Sequence, residues 1–392
     1  MRWFKKRIYL DYASAPPVSE AAIRAMRAAE MLEGNPGGLH AEAVAAKASL
    51  EASRERIALL IGCKSREVVF TSGLSEGNAL AIVGFARAFE RTRRGLEGTH
   101  WISTIIEHSS VLESFSEIER MGGRVTHLAP DDRGIVAPAR VAAALRPETV
   151  FVSVGWANGE IGVVQPLADI ARAIRDFDHD RTSKIVFHSD AGQAPLYLPT
   201  LVSSLGVDLL TLGSNKLRGP HGIGALVNRS RVDLSPAIFG GSQERGMRPG
   251  TEGVALAAGF AAAFEDMVRV REEESRRLLK IRSDLAKGIL ESLPGTLVNG
   301  DLAAGLPHIL NLSIPEVSSE YFALALDRQG IAVSTKSACK EGQDRSHVVE
   351  ALGGPTWRAS NTLRISLGAG VSASDLPRII SAFSAVAAIS KK

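Results

Sequence analysis

Five apolar, β-branched runs in this 392-residue chain are each followed at once by side chains that can do chemistry. The run EVVF (67–70) leads into TSGLSEGN, and WISTII (101–106) leads into Glu107 and His108. VFVSVGW (150–156) leads into Ala157, Asn158, Gly159 and Glu160. KIVFHSD (184–190) ends on Asp190, ahead of Gly192 and Gln193. LLTLG (209–213) leads into Ser214, Asn215 and Lys216. Each has a plainer reading when taken alone. TSGLSEGN suits a strand-to-helix turn with its N-cap. His108 suits a packed or solvated histidine, Asp190 an N-cap, and Lys216 a solvated surface charge. Brought to one edge, they supply hydroxyls, an imidazole, two amides, a carboxylate and an amine. Pyridoxal phosphate asks for this set: a lysine for a Schiff base, a carboxylate for the ring nitrogen, a phosphate cradle and a flat group over the ring. The small residues of TSGLSEGN leave N–H groups free at a helix N-terminus, whose partial positive charge suits a phosphate. Asp190 precedes Lys216 by 26 residues, one strand–helix–strand unit, so the acid and the amine are predicted at the ends of neighbouring strands.

A thiol completes the inventory. Cys339 lies in STKSACKEG (334–342), a polar, glycine-ended run between two apolar segments. Free cysteine is usually buried, so an exposed loop position raises the expectation of a working thiol, flanked by Lys336 and Lys340. The other cysteine, Cys63, follows an apolar helical stretch in ALLIGCKSREVVF and reads as structural.

These groups need a sheet to position them. The apolar runs, with a further one at GALVN (224–228), alternate with amphipathic segments such as SSVLESFSEIERM (109–121) and PLADIARAIRDF (166–177). That alternation predicts a mostly parallel sheet covered on both faces, and ligands bind such sheets at the carboxyl ends of the strands. Near residue 265 the pattern changes to a long, charged helix with Leu278, Ile281, Leu285 and Ile289 on one face. HILNLSI, IAVSTKSAC and TLRISLG then read as shorter strands of a smaller α+β domain. The formal net charge of +3 gives no footprint for nucleic acid. The longest apolar run, ALAAGFAAAF (255–264), is too short to span a bilayer. MRWFKKR does not lead into a signal-peptide core, and two cysteines are too few for a disulfide framework. A soluble, cytoplasmic protein is expected.

The chain resembles the class V aminotransferase family, and within it the cysteine desulfurases of NifS/IscS type. The likeness runs in order through IYLDYASAPP, GNPGGLH, VVFTSGLSEGNALAI, EHSSV, WANGEIGVVQP, FHSDAGQA, SNKLRGPHGIGAL, GGSQERGMRPGT, NLSI, KSAC and LRISLG. It implies the type I fold of pyridoxal-phosphate enzymes: a large α/β domain with a mostly parallel seven-stranded sheet (16–262), and a small α+β domain (1–15 with 263–392) bearing the cysteine loop. By the same resemblance Lys216 carries the cofactor, His108 stacks on its ring and Asp190 pairs with its ring nitrogen. Asn158 and Gln193 bond its hydroxyl. Leu74, through its backbone, and Ser75 hold its phosphate, Gly213, Ser214 and Asn215 also bind the cofactor, and Thr251 reaches the phosphate of the partner subunit in a homodimer. Arg364 binds the carboxylate of L-cysteine, with Asn158 beside it, and Cys339 accepts the sulfur as a persulfide for iron–sulfur or other thio-cofactor synthesis. No metal site is implied, apart from Cys339 as a transient iron–sulfur ligand.

Two departures from the family pattern are visible. GSNK stands where SGHK is usual, so Asn215 replaces a histidine, and VSTKSAC stands where SSGSAC is usual. AVAAISKK follows closely on the last helical run, where other members carry a scaffold-docking tail. The sulfur is therefore expected to pass to an acceptor protein docking near Cys339, or to a small thiol. A selenocysteine lyase, or another pyridoxal-phosphate-dependent lyase or aminotransferase of the same fold, is the nearest alternative, and a non-catalytic binding subunit is the alternative of another class.

Overall fold

The computed structural model describes residues 6–92, 95–335 and 345–390. Its strands, in chain order, are β1 (Ile8–Tyr9), β2 (Val68–Thr71), β3 (His100–Thr104), β4 (Arg124–Leu128), β5 (Thr149–Ser153), β6 (Val186–Asp190), β7 (Leu209–Gly213), β8 (Gly224–Asn228), β9 (Leu297–Val298), β10 (Ile309–Ser313), β11 (Ile331–Ala332) and β12 (Thr362–Ser366). Seven form one sheet in the order β2-β8-β7-β6-β5-β3-β4. The pairs from β7 through β6, β5 and β3 to β4 are parallel, and β8 is antiparallel to both β7 and β2. Only β8 is therefore reversed, and β2, β3, β5, β6 and β7 all end at one edge of the sheet. The mostly parallel seven-stranded sheet expected from the sequence is present.

Side-chain alternation builds a core on each face of this sheet. Trp101, Phe151, Leu209 and Leu226 point to one face. Their neighbours Ile102, Val152, Leu210 and Val227 point to the other. All eight are buried, which is why these strands read as continuous apolar runs. β4 differs. It is the edge strand, and four of its five residues are exposed or half-exposed, so RVTHL carries no such run.

The long charged segment forms one helix, Val254–Ser292, starting well before residue 265. Phe260 and Phe264 bury its first half, and Leu278, Ile281, Leu285 and Ile289 its second. The boundary expected between residues 262 and 263 falls inside it. Beyond it, β10 lies between β12 and β9, and β1 pairs in parallel with β11. No helix among the described residues is long and apolar enough to cross a membrane.

A buried ion pair anchors the glycine-rich segment GGSQERGMRPGT. Arg54, on the helix Ala41–Ile61, meets both oxygens of Glu244 at 2.7 Å, and Glu244 also accepts from Phe70 N at 2.8 Å. Glu244 and Arg245 hold φ of 47° and 59°, left-handed values that side-chain-bearing residues seldom adopt. The pair holds that turn in place. Glu244→Gln should therefore cost about 3 kcal/mol, because a buried guanidinium loses its charged partner; urea denaturation measures this. A loss below about 1 kcal/mol would mean that the exposed Glu51, which also bonds Arg54, carries the charge instead.

Candidate active site

The carboxyl edge of the large sheet opens into a cavity of about 440 Å³. Lys216, Asp190, His108, Asn158, Gln193, Leu74, Asn215 and Arg364 all line it, although they come from six separate stretches of chain. The strand ends set their places. Asp190 closes β6, where it pairs in register with Thr211 of β7, and Lys216 follows β7 by three residues. Acid and amine thus stand on neighbouring strands, as their 26-residue spacing predicts.

The site is held by hydrogen bonds that converge on a few backbone atoms. Lys216 Nζ donates to Ala13 O at 2.8 Å and Ser14 O at 2.7 Å. Gln193 Nε2 donates to the same Ala13 O at 2.8 Å, and its Oε1 faces His308 Nε2 at 3.4 Å. Burial pushes His308 down to about 3, so the ring is neutral at physiological pH and donates from Nε2. Asn158 donates to Ile106 O, while its Oδ1 accepts from Glu160 N and Ile161 N. Both amides are therefore fixed in orientation before any ligand arrives. His108 caps the helix Ser109–Arg120, its Nδ1 accepting from Ser110 N. Arg364, in the middle of β12, is buried. It donates to Asp11 Oδ1 and Gly159 O at 2.9 Å each, and to Ser14 Oγ, leaving part of its five-donor fork for a ligand.

Other expected residues sit differently. Ser75 is exposed on the first turn of the helix Leu74–Thr92, outside the cavity lining. Gly213 and Ser214 are buried behind it, and a Cβ on Gly213 would lie 2.6 Å from Leu74 Cγ. Thr251 is exposed and away from this cavity, accepting from Asn35 Nδ2 at 3.4 Å. Cys339, with Lys336 and Lys340, lies outside the described residues. Cys63 is half-buried against the apolar core. Burial pushes its thiol up to about 12, which makes it inert.

Two residues to which the sequence reading gave no role belong here. Asn78 is fully buried and donates from Nδ2 to Asp190 Oδ2 at 2.7 Å and Ser110 Oγ at 2.9 Å. With Gly192 N donating to Oδ1 at 2.8 Å, this fixes both oxygens of Asp190. The signal was a lone asparagine in the otherwise apolar stretch NALAIVGF. Glu107 also lines the cavity and is buried; its signal was a second acid at a strand end.

Comparison with known proteins agrees with this geometry. Residues 8–379 match the family model Aminotransferase class-V. The cysteine desulfurase IscS of Dictyoglomus turgidum is 36% identical over 374 residues, covering 95% of this chain and 92% of that protein. A solved NifS-like protein superposes with a TM-score of 0.90 at 28% identity, covering 98% of this chain and all of that one. A solved SspA in complex with cysteine superposes with a TM-score of 0.79 at 33% identity, covering 92% and 98%.

Proposed function

The chain belongs to the aminotransferase class-V family and, within it, to the cysteine desulfurases, and we propose that it converts L-cysteine to L-alanine and moves the sulfur onto Cys339 as a persulfide. The observation that carries this reading is the meeting of Lys216, Asp190, His108, Asn158, Gln193 and Arg364 on one cavity. The donor set fits pyridoxal phosphate. Lys216 would hold it through its amine, Asp190 would face its ring nitrogen, and His108 its ring. Asn158 and Gln193 would face its hydroxyl. Leu74 and Ser75 would hold its phosphate from the helix N-terminus, with Asn215 from the turn after β7 and Thr251 of a second subunit. When bound, the cofactor supplies an electron sink for the carbon next to the substrate nitrogen.

The rest is work for the chain. Arg364 binds the substrate carboxylate, and Asp11 and Ser14 orient it. Lys216 Nζ takes the α-proton. Cys339, as thiolate, attacks the substrate sulfur: the C–S bond breaks, an S–S bond forms, and the released carbon takes a proton to become alanine. The net change is cysteine plus thiol to alanine plus persulfide, which a protein acceptor or a small thiol then discharges.

A homodimer is supported by three large apolar side chains left in water, Met31, Leu39 and Phe239, at 81%, 96% and 85% exposure. The Asn35–Thr251 bond ties the segment of Leu39 to that of Thr251. Sedimentation showing a monomer at working concentration would count against it. We also infer a division into bodies of residues 16–262 and 1–15 with 263–392, supported by the separation of the seven-stranded sheet from the two smaller sheets. A reactive free thiol suits a reducing compartment, hence the cytoplasm.

The deciding experiment incubates the purified, cofactor-loaded protein with L-cysteine and a reductant, with L-selenocysteine in parallel. Alanine and sulfide should appear in equal amounts. Turnover of selenocysteine alone would replace this reading with a selenium lyase.

A further inference from the structure

Glu107 lines the cavity, yet the steps assigned to Lys216, Arg364 and Cys339 leave it no work. It follows β3 by three residues, just before the helix that His108 caps, and only 5% of it is exposed. Thr104 Oγ1 and Gly155 N both donate to one oxygen, Oε1, at 2.8 and 2.9 Å. Both side-chain bonds from described residues go to Oε1, none to Oε2, and Glu107 lines the cavity. Gly155 makes room for it: a Cβ there would lie 2.8 Å from Oε2. The carboxyl is clamped through one oxygen and presented through the other.

We propose that Oε2 of Glu107 takes the proton that the ammonium group of L-cysteine must shed inside the cavity, and returns it to alanine. This rests on the desulfurase reading. An ammonium nitrogen has no free electron pair, so it cannot bond to carbon until an N–H bond breaks. The proton passes to Oε2, forming an O–H bond, and the electron pair stays on nitrogen. As alanine leaves, the O–H bond breaks and the product amine regains the proton, so nothing is consumed. Lys216 has the α-proton to handle, so a separate acceptor keeps the two transfers apart.

The surroundings suit such a carboxyl. Burial pushes Glu107 up to about 7; the two hydrogen bonds and His108 oppose the rise, and the charge of Asp190 adds to it. The other titratable or charged groups on the cavity wall are Glu160 after β5, Lys216 and His221 after β7, Arg364 on β12 and His347, whose Nε2 donates to Glu107 O at 3.2 Å. A group titrating near neutral pH both takes and gives a proton readily.

The test is Glu107→Gln in the cofactor-loaded enzyme; the amide oxygen can still accept from Thr104 and Gly155. In the wild type, kcat/KM for alanine formation should fall about a hundredfold per pH unit below about 7, because Glu107 is already protonated there and the Cys339 thiol must also lose its proton. In the variant only the thiol's roughly tenfold fall per unit should remain, and the plateau should drop roughly a hundredfold. Infrared difference spectra should show a protonated-carboxyl band that titrates near neutral pH in the wild type and is missing from the variant. A variant that keeps the wild-type steepness below about 7, or a wild type without that band, overturns the proposal. The infrared arm needs no turnover, so its failure strikes Glu107 alone, whereas a wild type that makes no alanine strikes the desulfurase reading.

Discussion

Lys216→Ala is expected to lower alanine formation from cysteine by on the order of ten-thousandfold, the upper range for one proton-transfer group. Lys216 is the one lysine on the cavity wall among the described residues, so no neighbouring amine can replace it. Its own place is fixed. It sits in the short turn Asn215–Leu217 after β7, with Nζ on two backbone carbonyls. The fold should survive, since the side chain is half-buried and the sheet core lies beneath it. Borohydride should fix the cofactor to the wild-type chain at this residue and leave the variant unlabelled. A variant within tenfold of the wild-type rate, or one still labelled, would remove Lys216 from the mechanism.

Cys339→Ser should lose the persulfide altogether and about a hundredfold in alanine production, because a hydroxyl stays protonated where a thiol of pKa about 8.5 is a few per cent thiolate. Cofactor binding and the spectral response to added cysteine should be unchanged, as these depend on the cavity and not on the thiol. Cys63→Ser is the control. Its thiol is half-buried and held protonated, so the change should leave turnover as it is. Persulfide found on Cys63, or full turnover by the Cys339 variant, would move the sulfur-accepting role away from Cys339.

The sheet and most of the candidate site were legible because both obey short-range rules. Strands buried on both faces write themselves as unbroken apolar runs, and parallel order gathers the residues after each strand at one edge. The fit of Asp190 and Lys216 needed nothing more. The edge strand β4 escaped because its residues face water on much of their surface. The anchoring was hidden for another reason. Asn78 bonds Asp190 across 112 residues, and Asp11 bonds Arg364 across 353, and no local pattern records such a meeting. The start of the long helix is hard to see because ALAAGFAAAF is apolar all round and shows no amphipathic period there. Thr251 is not on the cavity wall, so its expected place at the cofactor's phosphate depends on the second subunit proposed above.

Residues 8–14 act as a latch. β1 pairs with β11, Leu10 O accepts from Ser366 N, Asp11 bonds Arg364, and the carbonyls of Ala13 and Ser14 seat Lys216. The ribosome makes this stretch more than 300 residues before its partners in β11 and β12. Joining ends 353 residues apart costs about 5 kcal/mol of loop entropy. The large sheet can therefore form during synthesis while Lys216 still lacks its seat and Arg364 does not yet exist. The order of manufacture thus becomes an order of competence: a nascent chain can gather its sheet early, but its cavity can be completed only once β12 has emerged. A truncated or stalled product would carry the amine without the arginine, and so would be spared from acting on cysteine half-built.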